Sequence, residues 1–237
     1  MKKLFFILIM SIVALARGQN VPSKDTVITK DPNVPGREYW VIRSVNGRTV
    51  ATGFMLNGFK DGVWREYNDM SMLIKITEYK NGLKDGTNIE LSNNGMIVLD
   101  ESFKNNLLEG DRTVMNNYGR ARVTEHYMNG KLEGVRQNFY DDTKIQEESF
   151  WRAGVKDSVA RWYYQTGKIS IEYVYKNCAL NGLSKTYNDE GTLMQEGNYV
   201  DNNEEGEWKE YYKAGKLVKK KIYKAGVLIK EIPVKPR

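Results

Sequence analysis

The sequence predicts an all-β fold: an elongated, single-layer antiparallel meander of stacked β-hairpins on a 24-residue period. Three observations predict it. Aromatic residues recur at Tyr79, Phe103, Tyr127, Trp151, Tyr175, Tyr199 and Tyr223, each 24 residues after the last, and a small residue keeps the same period at Gly62, Gly86, Gly110, Gly134, Ser158, Gly182 and Gly206. Repetition at a fixed short period is the mark of an array whose units each pack on their neighbours. Within a unit, Leu73 and Tyr79 lie six residues apart. An even spacing sets both side chains on one face of a strand, whereas a helix would splay them by about 240°. The segments SNNG, NNYG, YQTG, NDEG and YKAG fall between these strands. Each ends in a glycine suited to positive φ at the close of a short hairpin loop. None of the five prolines falls between residues 36 and 232, so the strands carry no ladder breakers.

The elements follow in chain order. Residues 1–18 read as a secretory signal peptide: Lys2 and Lys3, an apolar stretch from Leu4 to Ala16, and the small-x-small site Ala16-Arg17-Gly18 before Gln19. That stretch is too short to span a bilayer, which needs about 20 apolar residues. Cleavage near Gly18-Gln19 would place the protein outside the cytoplasm, in the periplasm, the outer envelope or the medium. Residues 19–37 form a polar, proline-containing linker. The repeat domain spans 38–230. It opens with a degenerate unit, in which Trp40 precedes Trp64 by 24 residues and Gly47 precedes Ser71 by 24. Seven full units follow without insertion or deletion, and a partial unit begins after Tyr223. Residues 231–237 form a basic tail.

Each full unit is a first strand, a hairpin loop and a second strand, as in GEWKEYY, a turn, and KLVKKKIY. The connection to the next unit, such as YKNGLKDG, carries Asn-Gly and Asp-Gly pairs with turn chemistry. The residues before the small column are Asp61, Asp85, Glu109, Glu133, Asp157, Asn181 and Glu205. A carboxylate once per unit, about 9.5 Å from the next, cannot assemble the six to eight oxygens that calcium needs, so this column is assigned to turn formation.

The formal charge of +6 is uneven: residues 1–18 carry +3, residues 209–237 carry +8, and the body between them carries −5. Lys219, Lys220 and Lys221 stand in a row near the end. Such a cluster can attract anionic lipid or glycan, or it can simply protect an edge strand. Cys178 is the single cysteine, so no internal disulfide holds the fold, and a small apolar filler is the simplest role for it. His126 is the single histidine and sits in a chemically variable column. No serine sits in a strained nucleophile turn, and no glycine-rich phosphate loop precedes a helix. These features predict no enzyme, no cofactor, no metal and no nucleic-acid partner.

The pattern Tyr/Phe-x-Asn-Gly, Asp/Glu-Gly, Trp-x-x-Tyr, Gly-x-Leu resembles MORN repeats. It is most similar to the variant MORN family of bacterial proteins. YKNGLKDG at 79–86, YMNGKLEG at 127–134 and EGEWKEYYKAGKL at 205–217 carry the resemblance best. Ser158, Cys178 and Asn106 depart from it, each standing where glycine is the rule. The resemblance implies an antiparallel sheet of successive hairpins that serves as a binding or scaffolding surface and has no shared catalytic site. Trp64, Trp162, Trp208 and Tyr212, together with Lys219, Lys220 and Lys221, form the candidate interaction surface. The expected function is a protein–protein scaffold at the cell envelope, with binding of anionic lipid or glycan through the basic end as the alternative.

Overall fold

The computed structural model describes residues 25–212 and 215–234. The signal peptide and residues 19–24 of the linker lie outside them. The described chain contains strands, turns and no helix, and it divides into two compact units, Met1–Leu108 and Glu109–Arg237.

The first unit holds β1 (Thr26–Lys30), β2 (Arg37–Arg43), β3 (Thr49–Leu56), β4 (Phe59–Tyr67), β5 (Leu73–Lys80), β6 (Leu83–Leu91) and β7 (Ile97–Lys104). Each strand pairs antiparallel with the next. The second unit holds most of β8 (Leu107–Met115), then β9 (Ala121–Met128), β10 (Lys131–Leu132), β11 (Gly134–Phe139), β12 (Ile145–Arg152) and β13 (Val155–Tyr163). It continues with β14 (Ile169–Lys176), β15 (Ala179–Leu180), β16 (Gly182–Tyr187), β17 (Leu193–Val200), β18 (Asn203–Tyr211), β19 (Leu217–Lys224) and β20 (Val227–Pro233). Here too the pairing is a meander from each strand to the next. The short pairs β10/β11 and β15/β16 are single first strands interrupted at Glu133 and Asn181, whose N–H groups donate to His126 and Val174 carbonyls at 2.8 and 2.9 Å.

The 24-residue period is written in backbone conformation. Every unit turns left-handed at three places. The hairpin loop does so at its fourth residue, where Gly95 has φ 79° and where Ser71 and Thr143 stand in for glycine at 61° and 70°. The connections do so at two successive residues, as at Asn81 (52°) and Gly82 (82°). Positive φ at both central residues defines the type I′ turn that matches the twist of a hairpin. Asn106 (67°) and Cys178 (65°) adopt this conformation without being glycine. The third place is a bulge inside each first strand, at Gly62, Gly86, Gly110, Gly134, Ser158, Gly182 and Gly206, with φ from 66° to 132°.

Two boundaries read from the sequence are corrected. Residues 26–30, expected within a polar linker, form β1, which pairs Val27 with Val41 and Ile28 with Trp40. The alternation of TVITK supplies one residue in two to pack on β2. The basic tail expected from residue 231 is strand as far as Pro233. In β20, Ile229 and Lys230 replace the acid–glycine pair. The bulge contracts there, so Lys219 faces Pro233 and Lys221 faces Glu231, one residue out of step with the pairing of Lys75 to Glu90 and Thr77 to Asn88 in β5 and β6.

Candidate functional site

The two faces of the sheet have different work. One face, called A here, holds the deepest burial, at a column two residues before the aromatic one and its cross-strand partner. In the first unit this column reads Gly53, Trp64, Thr77, Asn88 and Glu101, and in the second Arg112, Glu125, Arg136, Ser149, Ala160, Tyr173, Ser184, Gly197 and Trp208. Trp64, Trp208 and Ser184 are 2% exposed, and Thr77, Asn88, Ser149 and Ala160 are 1% exposed.

Neighbours in this column complement each other in size or charge. Trp64 lies over Gly53, and Trp208 lies over Gly197; a Cβ on either glycine would sit 2.4 or 2.0 Å from the indole. The Trp64 and Trp208 indole N–H groups donate to the Phe54 and Asn198 carbonyls at 2.8 and 3.2 Å. Thr77 donates its hydroxyl to Asn88 at 2.7 Å, and the Asn88 amide donates to Glu101 at 3.0 Å. Glu125 accepts from Arg112 at 2.7 Å and from Arg136 at 2.8 Å. Burial pushes the Glu125 carboxyl up, but the bonds from Arg136 and Arg112 outweigh it and hold the group below its ordinary value. From Trp162 onward the second unit packs by edge-to-face aromatic contacts: Trp162 on Tyr173 at 5.7 Å, Tyr173 on Tyr199 at 6.0 Å, Tyr199 on Trp208 at 5.1 Å and Trp208 on Tyr223 at 6.1 Å.

This geometry corrects most of the candidate interaction surface. Trp64 and Trp208 are core, because the glycine opposite each leaves a slot that the indole fills. Trp162 is half-buried, with the Lys156 ammonium 5.2 Å from its ring. Tyr212 is 62% exposed at a hairpin loop and remains on the surface. The lysine run does not form one patch, because Lys219 and Lys221 point to one face and Lys220 to the other. Each is paired: Lys219 with Glu231 at 2.8 Å, Lys220 with Glu207 at 3.1 Å and Lys221 with Glu210 at 2.5 Å. The bond from Glu210 raises the Lys221 ammonium, and the bond from Lys219 lowers the Glu231 carboxyl.

The acidic column also acts more specifically than turn formation requires. Glu109, Glu133 and Glu205 accept the N–H of Asn129, Ala153 and Ala225 at 2.6, 2.7 and 2.7 Å, each the first residue of the next type I′ turn. These three units thereby clamp the connections that follow them. Cys178 is exposed rather than a core filler; its sulfur accepts the Lys156 N–H at 3.2 Å, as the Asn106 and Asn202 side chains accept from Lys84 and Leu180.

The opposite face, B, carries the feature that sequence reasoning missed. Val135 pairs with Phe150, and Val159 pairs with Val174. Val174 lies against Gly182, where an added Cβ would come within 3.0 Å, and Leu183 follows it. Strand alternation sets all five side chains on face B. Val135 and Leu183 are 48% and 40% exposed. Beside this apolar row runs a hydrogen-bonded polar one: Gln137 to Glu148 at 2.8 Å, Arg161 to Glu172 at 2.7 Å and Lys209 to Glu196 at 3.2 Å. Glu196 also accepts the Tyr211 hydroxyl at 2.8 Å, and burial together with that bond pushes the phenol up to about 12. The apolar row was detectable only once the register had fixed which alternate residues share a face.

His126 lies 2.7 Å from Asp111, both solvent-exposed, beside a shallow hollow of about 250 Å³ also lined by Thr113, Thr124 and Val135. No cluster of three or more His, Cys, Asp or Glu side chains suited to a metal ion occurs among the described residues.

A family model described as a MORN repeat variant matches residues 156–177, 180–201 and 204–225. No curated protein matches the chain. Among solved structures, TarM is 12% identical over 73% of this chain and 24% of its own, with a TM-score of 0.20. A point mutant of S. aureus TarM in complex with fondaparinux, alpha-GlcNAc-glycerol and UDP is 11% identical over 84% of this chain and 23% of its own, with a TM-score of 0.17. The chain thus spans about a quarter of TarM's length, and TM-scores this low bear on neither fold nor function. The matched stretches are three consecutive MORN repeats of the variant kind, and the same 24-residue backbone period continues before them toward the amino terminus.

Proposed function

We propose that the protein is an exported, non-enzymatic scaffold that binds a protein partner at the cell envelope through face B of its second unit. One observation carries the reading: Val135, Phe150, Val159, Val174 and Leu183 share face B, with Val135 and Leu183 exposed at its ends and the three between them half-buried, beside a polar row in which Arg161 and Lys209 are already paired with glutamates. Apolar surface of this kind, rimmed by polar groups, suits a protein segment that brings apolar side chains of its own. The amino-terminal leader supports export. The exposed His126–Asp111 pair, with no activated nucleophile beside it, supports a binding role over a catalytic one. The pairing of Lys219, Lys220 and Lys221 with glutamates weighs against an anionic lipid or glycan as the main partner.

The test is a double substitution, Val159→Glu with Leu183→Glu, read against the envelope protein that crosslinks to the wild type in its own cells. Binding to that purified protein should weaken at least tenfold while the melting curve keeps its shape. Lys219→Glu with Lys221→Glu should leave binding within about twofold. Undiminished binding by the first variant would sink the reading.

A further inference from the structure

We propose that the free edges of β1 and β20 are the two halves of one interface, so that β20 of one copy pairs antiparallel with β1 of a second copy. Among the described residues β1 pairs with β2 alone, and β20 pairs with β19 alone. Both strands are apolar and open for terminal elements: Val27 and Ile28 are each 47% exposed, and Val227 and Ile229 are each 61% exposed.

Backbone phase decides which groups face outward. The Asp31 N–H donates to the Arg37 carbonyl at 2.9 Å. Because antiparallel ladders alternate, Thr29 and Val27 also bond inward to β2, which leaves the N–H and C=O groups of Lys30 and Ile28 on the open side. On the other edge the Val234 N–H donates to Val218 at 2.8 Å. Ile232 and Lys230 therefore bond inward, and Glu231 and Pro233 are open. The two edges can exchange ladder bonds only in registers that set open residues against open residues.

Side chains choose among those registers. Setting Lys30 opposite Glu231 places Ile28 opposite Pro233, Val27 opposite Val234, Thr29 opposite Ile232 and Asp31 opposite Lys230. Two opposite-charge pairs and an apolar pair result. A slip of two residues one way sets Ile28 against Glu231 and Lys30 against Ile229; the other way sets Asp31 against Ile232 and loses a pair. The favoured register also matches faces, since Ile28 pairs with Trp40 on face A and Glu231 pairs with Lys221 on face A.

The alternative homotypic contact is poor. Two β20 edges centred on Glu231 would oppose like charges directly, and centred on Ile232 they would set Glu231 against Pro233, which has no N–H to give. Pro233 and Lys230 are edge-guarding residues in general. Against β1 the proline removes one ladder bond, and the lysine finds Asp31. A heterologous contact of this kind leaves each added copy with the same open edge, so association proceeds beyond the dimer, as a ring or as a filament.

Sedimentation velocity of the purified protein over a range of concentrations at low salt tests this. The wild type should associate progressively. Lys30→Glu and Glu231→Lys should each shift association to at least tenfold higher concentration, because each sets like charges opposite one another. The double variant Lys30→Glu/Glu231→Lys, and equally a mixture of the two single variants, should return to within about threefold of wild type. Circular dichroism of each variant checks that the sheet is intact. A wild type that stays monomeric throughout, or association that Glu231→Lys leaves unchanged, overturns the proposal. Failure of the double variant to recover overturns it as well.

Discussion

Replacing Gly197 with alanine probes the paired core at its tightest point. The new Cβ would lie 2.0 Å from Trp208 Cδ2 and 2.3 Å from Cε2. Ordinary carbon contacts begin near 3.5 Å, so the indole must withdraw by about 1.5 Å. It is held by the Asn198 carbonyl at 3.2 Å and by the Tyr199 ring at 5.1 Å, and withdrawal strains both. Overpacking costs about 1–3 kcal/mol and a lost hydrogen bond about 1 kcal/mol, so the second unit should lose roughly 2–4 kcal/mol. Trp208→Ala alone should cost about 3–5 kcal/mol through its cavity. The double variant should cost no more than Trp208→Ala, since the alanine then meets no indole; it approaches the Ser149/Ala160 pair that the protein already uses at the equivalent position. The coupling energy, roughly 2–4 kcal/mol, is read from urea denaturation followed by circular dichroism and tryptophan fluorescence. Additive single-variant costs, or a Gly197→Ala cost under about 0.5 kcal/mol, would show that size complementarity does not organise this core.

Two further predictions concern charge. The Glu125 carboxyl lies below its ordinary value in the folded protein, so its contribution is full above the unfolded value and fades as pH falls through the folded one. Glu125→Gln should therefore destabilise at neutral pH by about 1–3 kcal/mol and flatten the stability-versus-pH curve below about pH 4.5; an unchanged acid slope in denaturant titrations would refute the cause. Glu133→Ala removes the acceptor for the Ala153 N–H and should cost about 1 kcal/mol, with faster amide exchange at residues 153 and 154; exchange as slow as in wild type would mean that the clamp is idle.

Much of the fold was legible because its period rests on backbone conformation. A left-handed turn residue admits few side chains, so glycine and asparagine recur visibly, and the even spacing of Leu73 and Tyr79 distinguishes strand from helix. The core column was not legible, for a physical reason. Its members satisfy one another in pairs, so Trp over Gly, Tyr between Ala and Ser, and Glu between two Arg all meet the same requirement with different letters. A column search looks for recurring residue types, and here only the sum across a pair recurs. That is why Trp64 and Trp208 resembled surface anchors: nothing in the sequence shows that Gly53 and Gly197 lie beneath them. The slip of β20 was foreshadowed by Ile229 and Lys230, where the acid–glycine pair fails in both members, as it does at Arg37 and Glu38 in the degenerate first unit.

The partner proposed for face B must meet narrow requirements. Side chains on face A are constrained in pairs, whereas Val135 and Leu183 on face B are exposed, so their chemistry is free to encode recognition. Within the second unit the column Asp111, Val135, Val159, Leu183, Glu207 is apolar for three consecutive repeats and acidic at both ends. Two strand spacings of about 4.8 Å separate successive members, so the apolar part runs about 20 Å from Val135 to Leu183. Asp111 is drawn toward His126 at 2.7 Å and Glu207 toward Lys220 at 3.1 Å, and both pairs are solvent-exposed and weakly held. A complementary segment therefore needs an apolar stretch of about 20 Å, some six residues if extended, with basic or hydrogen-bond-donating groups beyond it that can take over either carboxylate.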